Sequence, residues 1–311
     1  MDTNVCSRVE SSGETSLPSH DKQAKVCVVF PTRGRAALLE RVVAFVDTQT
    51  VKPDLIIVSC VTDDDVGNLA SRPGMLVIKG PPGSSAQRNH ALNHVPGDFD
   101  VVIFLDDDFL MHSTWIAKAL DALDSDPSID CVTGRVLADG AQGPGYSFEE
   151  GRAILEMMKE IPETLNAVPI RGPYGCNMAF RMRSIAGVRF DERLVLYGWQ
   201  EDRDFGGQIR NRGGRLVRIN AFGVHLGVKG GRVSGRKFGY SQVINPVYLA
   251  KKKTMGLRDA LDHVLRNVAS NVVRSISPEP WIDRRGRLGG NLIGLWDLVR
   301  GRLTPERAAK L

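Results

Sequence analysis

The 311-residue sequence contains no CxxC pair. Its five cysteines, Cys6, Cys27, Cys60, Cys131 and Cys176, are scattered and odd in number, which argues against a disulfide framework and a structural zinc. There is no apolar run of about 18 residues, so no segment is expected to span a bilayer. The first 24 residues, MDTNVCSRVESSGETSLPSHDKQA, lack both periodicity and the apolar stretch of a secretory signal. They are expected to form a disordered tail, and the chain reads as cytoplasmic. No Gly-Lys dipeptide occurs, which removes the phosphate loop of the P-loop NTPases, and no G-x-G-x-x-G, which removes the nicotinamide-binding fingerprint. The net charge of +5 is unevenly spread. From Lys251 onward thirteen Lys and Arg face six Asp and Glu, so this segment carries about +7 and the remainder is slightly acidic.

What is present is an alternation of apolar runs and amphipathic stretches. Val26 to Phe30, Leu55 to Ser59, Met75 to Gly80 and Val101 to Leu105 read as buried strands. Leu38, Leu39, Val42, Val43 and Val46 recur at helical spacing. SSAQRNHALNHV predicts a helix with Ser84 or Ser85 as its N-cap, and another helix is expected from about Ser113. Continuously apolar strands alternating with helices predict an α/β fold with a mostly parallel sheet covered on both faces. Ligands of such sheets bind beyond the carboxyl ends of the strands, where PTRGR, VTDDD, GPPGSS and DDDF all fall. After Val136 the Gly-rich stretch ADGAQGPGYSFEEG is expected to be mobile. Further on, Glu201 and Asp202 open a helix that ends near Gly213, and RLVRINAFGVHLG is a last strand leading to His225.

The sharpest local signal is VVIFLDDDFL, an apolar strand that runs into Asp106, Asp107 and Asp108. Adjacent anions repel and need a cation, water or strong hydrogen bonds. Residues two apart on extended backbone point the same way, so Asp106 and Asp108 could chelate one hard cation while Asp107 turns elsewhere. An acidic loop that caps the next helix is the alternative. Glu201 or Asp202 at a helix N-terminus could take a proton from an attacking hydroxyl or could simply cap the helix. Trp199 offers either a sugar-stacking face or a core side chain. Arg88 could be an ordinary surface arginine or, from a rim helix, could reach a diphosphate.

In this order, VCVVFPTRGR, SSAQRN, FLDDDF, GCNMAFRMRSIAGVRFDERL and GWQEDRDFGGQIRNRGGRL resemble the family 2 inverting glycosyltransferases of GT-A fold, the type that builds bacterial polysaccharides. The resemblance spans roughly Val26 to Gly230. It implies a catalytic domain over 25–230, with a nucleotide-binding half at 25–136 and an acceptor half at 137–230, followed by a basic helical extension over 231–311. It further implies that Pro31, Thr32, Arg33 and Arg35 line the nucleotide, that Arg88 faces the base or diphosphate, and that Asp107 lies near the ribose. Asp106 and Asp108 would hold Mn²⁺ or Mg²⁺, with His225 a further metal or diphosphate contact. Asp202 would be the general base and Glu201 its neighbour. UDP-sugars are the favoured donors, with GDP- and dTDP-sugars as alternatives. One departure stands out: Cys60 and Val61 occupy the place of the acidic pair that usually follows the second strand, and acids come only at Asp63 to Asp65.

The C-terminal segment places Leu257, Leu261, Val264, Leu265, Val268 and Val272 near helical spacing among Lys and Arg. Such a basic amphipathic pattern reads either as a membrane-surface element or as helices packed on the domain with a solvated basic face. The first would make the protein peripheral at the inner face of the cell membrane and suit a lipid-linked saccharide as acceptor. Nucleic acid is not an expected partner, because aromatics are not interleaved with the basic residues. A nucleotidyltransferase and a non-catalytic sugar-nucleotide scaffold are the other readings of the same acids.

Overall fold

The computed structural model describes residues 24–158, 164–229 and 233–311. The expected N-terminal tail, save its last residue, and the boundary expected at 230/231 lie outside the described residues. Strands β1 (Val26–Pro31), β2 (Leu55–Cys60), β3 (Met75–Lys79) and β4 (Val101–Leu105) are the four apolar runs of the sequence. They pair in parallel in the spatial order β3-β2-β1-β4. The sheet then continues with β8 (Asn177–Arg181), β6 (Ile129–Asp139), β9 (Arg215–His225) and β5 (Phe109–Met111), with β7 (Val168–Pro169) also on β9. Strand β8 is antiparallel to both neighbours, while β6 and β9 run parallel. The expected α/β fold is therefore present as a mixed sheet whose N-terminal half is parallel.

The period of two along the strands divides the core. Val26, Val28 and Phe30 of β1 and Val101, Ile103 and Leu105 of β4 face one side, with α1 (Ala36–Val46) and α3 (Trp115–Ser125) over them. Cys27 and Val29 of β1 and Val102 and Phe104 of β4 face the other, under α2 (Ser84–Leu92) and α5 (Glu201–Asn211).

Some local expectations are corrected. The N-cap of α2 is Gly83, in the positive-φ region at 122°, and neither Ser84 nor Ser85 caps the helix. The stretch expected to be mobile contains the end of β6 and the start of α4 (Phe148–Glu156). Ser147 and Glu150 close a capping box there, satisfying the free N–H groups of the first turn. Strands β5 and β6 escape sequence patterning because one is three residues long and the other carries register shifts.

Three helices follow the sheet: α6 (Gly235–Lys252), α7 (Leu257–Arg274) and α8 (Arg284–Val299). A side chain at Gly239 would meet the Arg287 carbonyl at 2.0 Å, and one at Gly290 would meet that of Arg236 at 2.0 Å. Glycine is therefore required on both sides of the α6–α8 crossing. The helices are fastened to the α/β body by charge. Lys252 Nζ donates to Asp191 at 2.7 Å and to Asp204 at 2.8 Å, and the Asp204 side chain is fully buried. Replacing Lys252 by Met leaves that carboxylate buried without its cation. The expected loss of stability is about 2 kcal/mol, below the ~3–5 of a fully buried pair because Lys252 keeps some contact with water. A lower urea midpoint at unchanged slope would show it; an unmoved midpoint would mean that other contacts hold the helices in place.

Candidate active site

The three acids of the DDD run leave β4 at the rim where β1 and β2 also end. Each carboxylate is held by its own set of partners, with Arg35 shared between two of them. Asp107 is buried and turned inward, where it accepts from Thr32 Oγ1 at 2.8 Å and from Arg35 Nη1 at 2.8 Å. Asp106 accepts from Arg88 Nη2 through Oδ1 at 2.8 Å. Asp108 accepts through Oδ2 from the Val228 N–H at 3.0 Å, with Arg35 Nη1 at 3.4 Å. One oxygen of each outer acid is thus pinned, and the other faces His225: Asp108 Oδ1 lies 3.3 Å and Asp106 Oδ2 4.0 Å from Nε2.

His225 reaches this place through strand pairing. It ends β9, opposite Phe109 of β5 and opposite Asp139 of β6. Its Nδ1 lies 2.9 Å from Asp139 Oδ1, and Tyr174 Oη donates to Asp139 Oδ2 at 2.6 Å. Asp139 was not among the residues marked by sequence. It lies in a Gly-rich stretch with no local motif, and only the β6–β9 register brings it to the histidine. A carboxylate behind one ring nitrogen fixes the tautomer that leaves the other free to ligate.

The electrostatics follow from these contacts. Burial works to raise Asp139, but the His225 and Tyr174 hydrogen bonds outweigh it and hold the carboxyl at about 2. Burial works to lower His225, yet the bonds to Asp108 and Asp139 carry it up to about 10. Burial also raises Asp106 and Asp107, against the pull of Arg88 and Arg35 respectively. Without a cation, an imidazolium proton offsets the acids. The ligand atoms of Asp106, Asp108 and His225 all lie within 4.8 Å of one another. Two carboxylates and one imidazole, with the remaining positions open to water and substrate oxygens, fit Mn²⁺ or Mg²⁺.

Arg88 joins this cluster to the second acidic pair. Its guanidinium is 1% exposed, lies between Asp106 and Glu201, and also donates to the Gly175 carbonyl at 3.1 Å. The structure therefore sets Arg88 among protein carboxylates and not on an open surface. Glu201 is buried, and Ser84 Oγ lies 3.5 Å from it. Asp202 is half-buried and accepts from the N–H groups of Gly175 at 2.9 Å and Arg203 at 2.7 Å. Burial raises both carboxyls. The turn before them is strained: Leu196 and Gln200 are non-glycine residues in the left-handed region, at φ 65° and 73°.

The other residues marked by sequence sit at the same rim. Pro31 ends β1, Thr32 is buried, and Arg33 is exposed. Gln87 Nε2 donates to the Thr32 and Ser59 carbonyls, both at 2.7 Å, which fastens the loop to α2. The displaced acids after β2 also have a place. Asp65 is buried and accepts from the N–H groups of Val61 at 3.0 Å, Thr62 at 2.7 Å and Gly34 at 2.6 Å. It therefore braces the loop that follows β1, while Asp63 pairs with Lys79 at the surface. Trp199 packs edge-on against Phe238 of α6.

A family model described as glycosyl transferase family 2 matches residues 27–189. No curated protein matches the chain significantly. Among solved structures, the mannosyltransferase PcManGT from Pyrobaculum calidifontis, in complex with GDP-Man and Mn²⁺, aligns with TM-score 0.56 at 14% identity, covering 89% of this chain and 88% of that one. TarS 1–349 from S. aureus aligns with TM-score 0.57 at 16% identity, covering 92% and 83%. Its complex with UDP-GlcNAc aligns with TM-score 0.52 at 17% identity over the same shares. At such identities the likeness is one of fold. The sheet and these alignments define a GT-A fold. The chain belongs to glycosyl transferase family 2, which removes the nucleotidyltransferase reading.

Arg88 separates acids that would otherwise face one another. Arg88→Met should cost about 3 kcal/mol or more at neutral pH. Acids whose folded pKa is raised favour folding as pH falls, because the folded state then binds more protons. Thermal unfolding of the variant should therefore show part of the loss recovered at pH 5 relative to pH 8. A loss independent of pH would point to packing alone.

Proposed function

We propose that the protein transfers a sugar from a nucleoside-diphosphate donor to a saccharide or lipid-linked saccharide by a single inverting displacement. UDP-sugar is the favoured donor. The observation that carries the reading is the convergence of Asp106 Oδ2, Asp108 Oδ1 and His225 Nε2, while their other polar atoms are already engaged, with Asp202 linked to Asp106 through Gly175 and Arg88. Asp106, Asp108 and His225 would hold Mn²⁺ or Mg²⁺, which when bound supplies positive charge to the leaving diphosphate. The loop from Pro31 to Arg35 would line the nucleotide, with Asp107 holding Thr32 and Arg35 in register.

Asp202 is the better base of the acidic pair. Glu201 is buried and engaged by Arg88, whereas Asp202 keeps access to solvent. Its two backbone hydrogen bonds orient the carboxylate, and its raised pKa brings it closer to that of an effective proton acceptor. As the acceptor hydroxyl oxygen bonds to the anomeric carbon, its proton passes to Asp202. The bond to the diphosphate breaks, and the diphosphate departs with the electron pair. The carbon inverts.

Calorimetric titration of UDP-, GDP- and dTDP-sugars with and without Mn²⁺ tests the donor side. Metal-dependent binding of one donor, abolished in Asp108→Ala, is expected. Asp202→Asn should keep that binding and lose transfer by about a hundredfold to ten-thousandfold. Normal transfer by Asp202→Asn would exclude it as the base, and a well-folded protein that binds no donor would favour a scaffold. Asp139→Asn, which weakens the anchor of His225, should lower Mn²⁺ affinity by about ten- to a hundredfold. Titration of Mn²⁺ by electron paramagnetic resonance, without donor, reads this directly.

A further inference from the structure

A surface helix ordinarily buries its apolar stripe and exposes its polar face. Helices α7 and α8 leave apolar residues exposed beside their charged ones, while part of what they bury is polar. On α7, Leu257, Leu261, Leu265 and Val272, continued by Ile276 just beyond the helix, fall within an arc of about 100°. They are exposed, Leu265 at 67% and Ile276 at 82%. The covered side of α7 carries Ala260, Val264 and Asn271. On α8, Leu292, Trp296 and Val299 share one exposed face, with Val299 at 79%, whereas Gly290, Asn291, Gly294 and Asp297 are buried. The polar groups inside are satisfied by one another. Asn271 Nδ2 donates to Asn291 Oδ1 at 2.8 Å and to Gln242 Oε1 at 2.9 Å, and Asn291 Nδ2 donates to the Gly239 carbonyl at 2.7 Å. The packing of α6, α7 and α8 thus leaves these apolar residues outside, and clustered exposed apolar residues mark an interaction site.

We propose that the α7–α8 face docks the protein on the surface of an anionic lipid bilayer. Charge selects the occupant. The segment from Lys251 onward carries about +7, and exposed Arg258, Arg285 and Arg300 lie on these two helices. A second copy of the chain would bring like charge to the same face, whereas anionic headgroups complement it. Arg300 lies over the Trp296 ring, 4.6 Å from its centroid, an amphipathic pair suited to headgroup depth. No described helix is long and apolar enough to cross a membrane. Helix α7, about 27 Å long, would instead lie flat in the interface. The covered side of the same helix reaches toward the acidic site: His263 Nε2 of α7 lies 3.0 Å from Arg203 Nη2, next in sequence to Asp202. That link fits an acceptor carried on a lipid, an extension that rests on the proposed transferase reading; the docking itself does not.

The test is flotation of the full chain with phosphatidylglycerol–phosphatidylcholine vesicles, needing neither donor nor metal. Association at low salt is expected, weakened by added salt and on pure phosphatidylcholine. The double variant Leu261→Glu/Leu265→Glu should bind these vesicles at least about tenfold more weakly, with unchanged circular dichroism. If that variant misfolds, brominated lipids should quench the native fluorescence by a component that Trp296→Phe removes. Absence of binding to anionic vesicles, or equal binding by the folded double variant, overturns the proposal. So does a dimer that the double variant dissociates while vesicles bind nothing, which would assign the face to a second copy. Metal and donor titrations of the same variant, expected to be unchanged, keep a failure of docking distinct from a failure of the transferase reading.

Discussion

Three carboxylates on consecutive residues at the end of a buried strand must be kept apart, and the organisation of the site follows from how this is done. Asp107 turns inward to Thr32 and Arg35, Asp106 is pinned by Arg88, and Asp108 by the Val228 amide, with Arg35 close by. Arg35 comes from the loop after β1 and Arg88 from α2, so neutralising one tripeptide draws two other elements to the same rim. Arg88 then extends the network to Glu201 at the start of α5. A change in any of these partners would be felt at both acidic clusters, because no water layer separates them from the guanidinium.

The same arrangement divides labour within each side chain. Oxygens used for positioning are distinct from those left facing the centre, and His225 repeats the pattern with Nδ1 on Asp139 and Nε2 toward the acids. A rim built in this way is held rigid from behind. That is what electrostatic preorganisation around a diphosphate requires. Asp65 plays a corresponding part for the loop after β1, where its carboxylate gathers three backbone N–H groups.

The C-terminal helices show a different economy. Lys252 and the glycine contacts fasten them to the body and to one another, and their interior combines an apolar cluster around Tyr240 and Ile244 with the hydrogen-bonded Gln242, Asn271 and Asn291. The basic face expected to be solvated is accompanied by an apolar face that is also exposed. Of the two sequence-based readings, packing on the domain is realised by α6. The outer faces of α7 and α8 remain exposed.

How much of this was legible in the sequence depends on the range of the physics involved. The four parallel strands, the helices between them and the placing of DDDF, PTRGR and QED could be read directly, because periodicity and apolar runs report on nearest neighbours and on burial. The ordered marks of the family likewise survive as local strings, and they carried His225 and Asp202 with them. Tertiary structure alone decided which oxygen of each acid is free, that Arg88 is buried between two carboxylates, and that Asp139 backs His225. These depend on the β6–β9 register and on side chains far apart in the chain, for which no local pattern exists. The same holds for α7 and α8. Their sequence announces amphipathic helices, but which residues of an amphipathic helix are covered is settled by its neighbours, and here those neighbours leave Leu257, Leu261, Leu265, Leu292 and Trp296 outside.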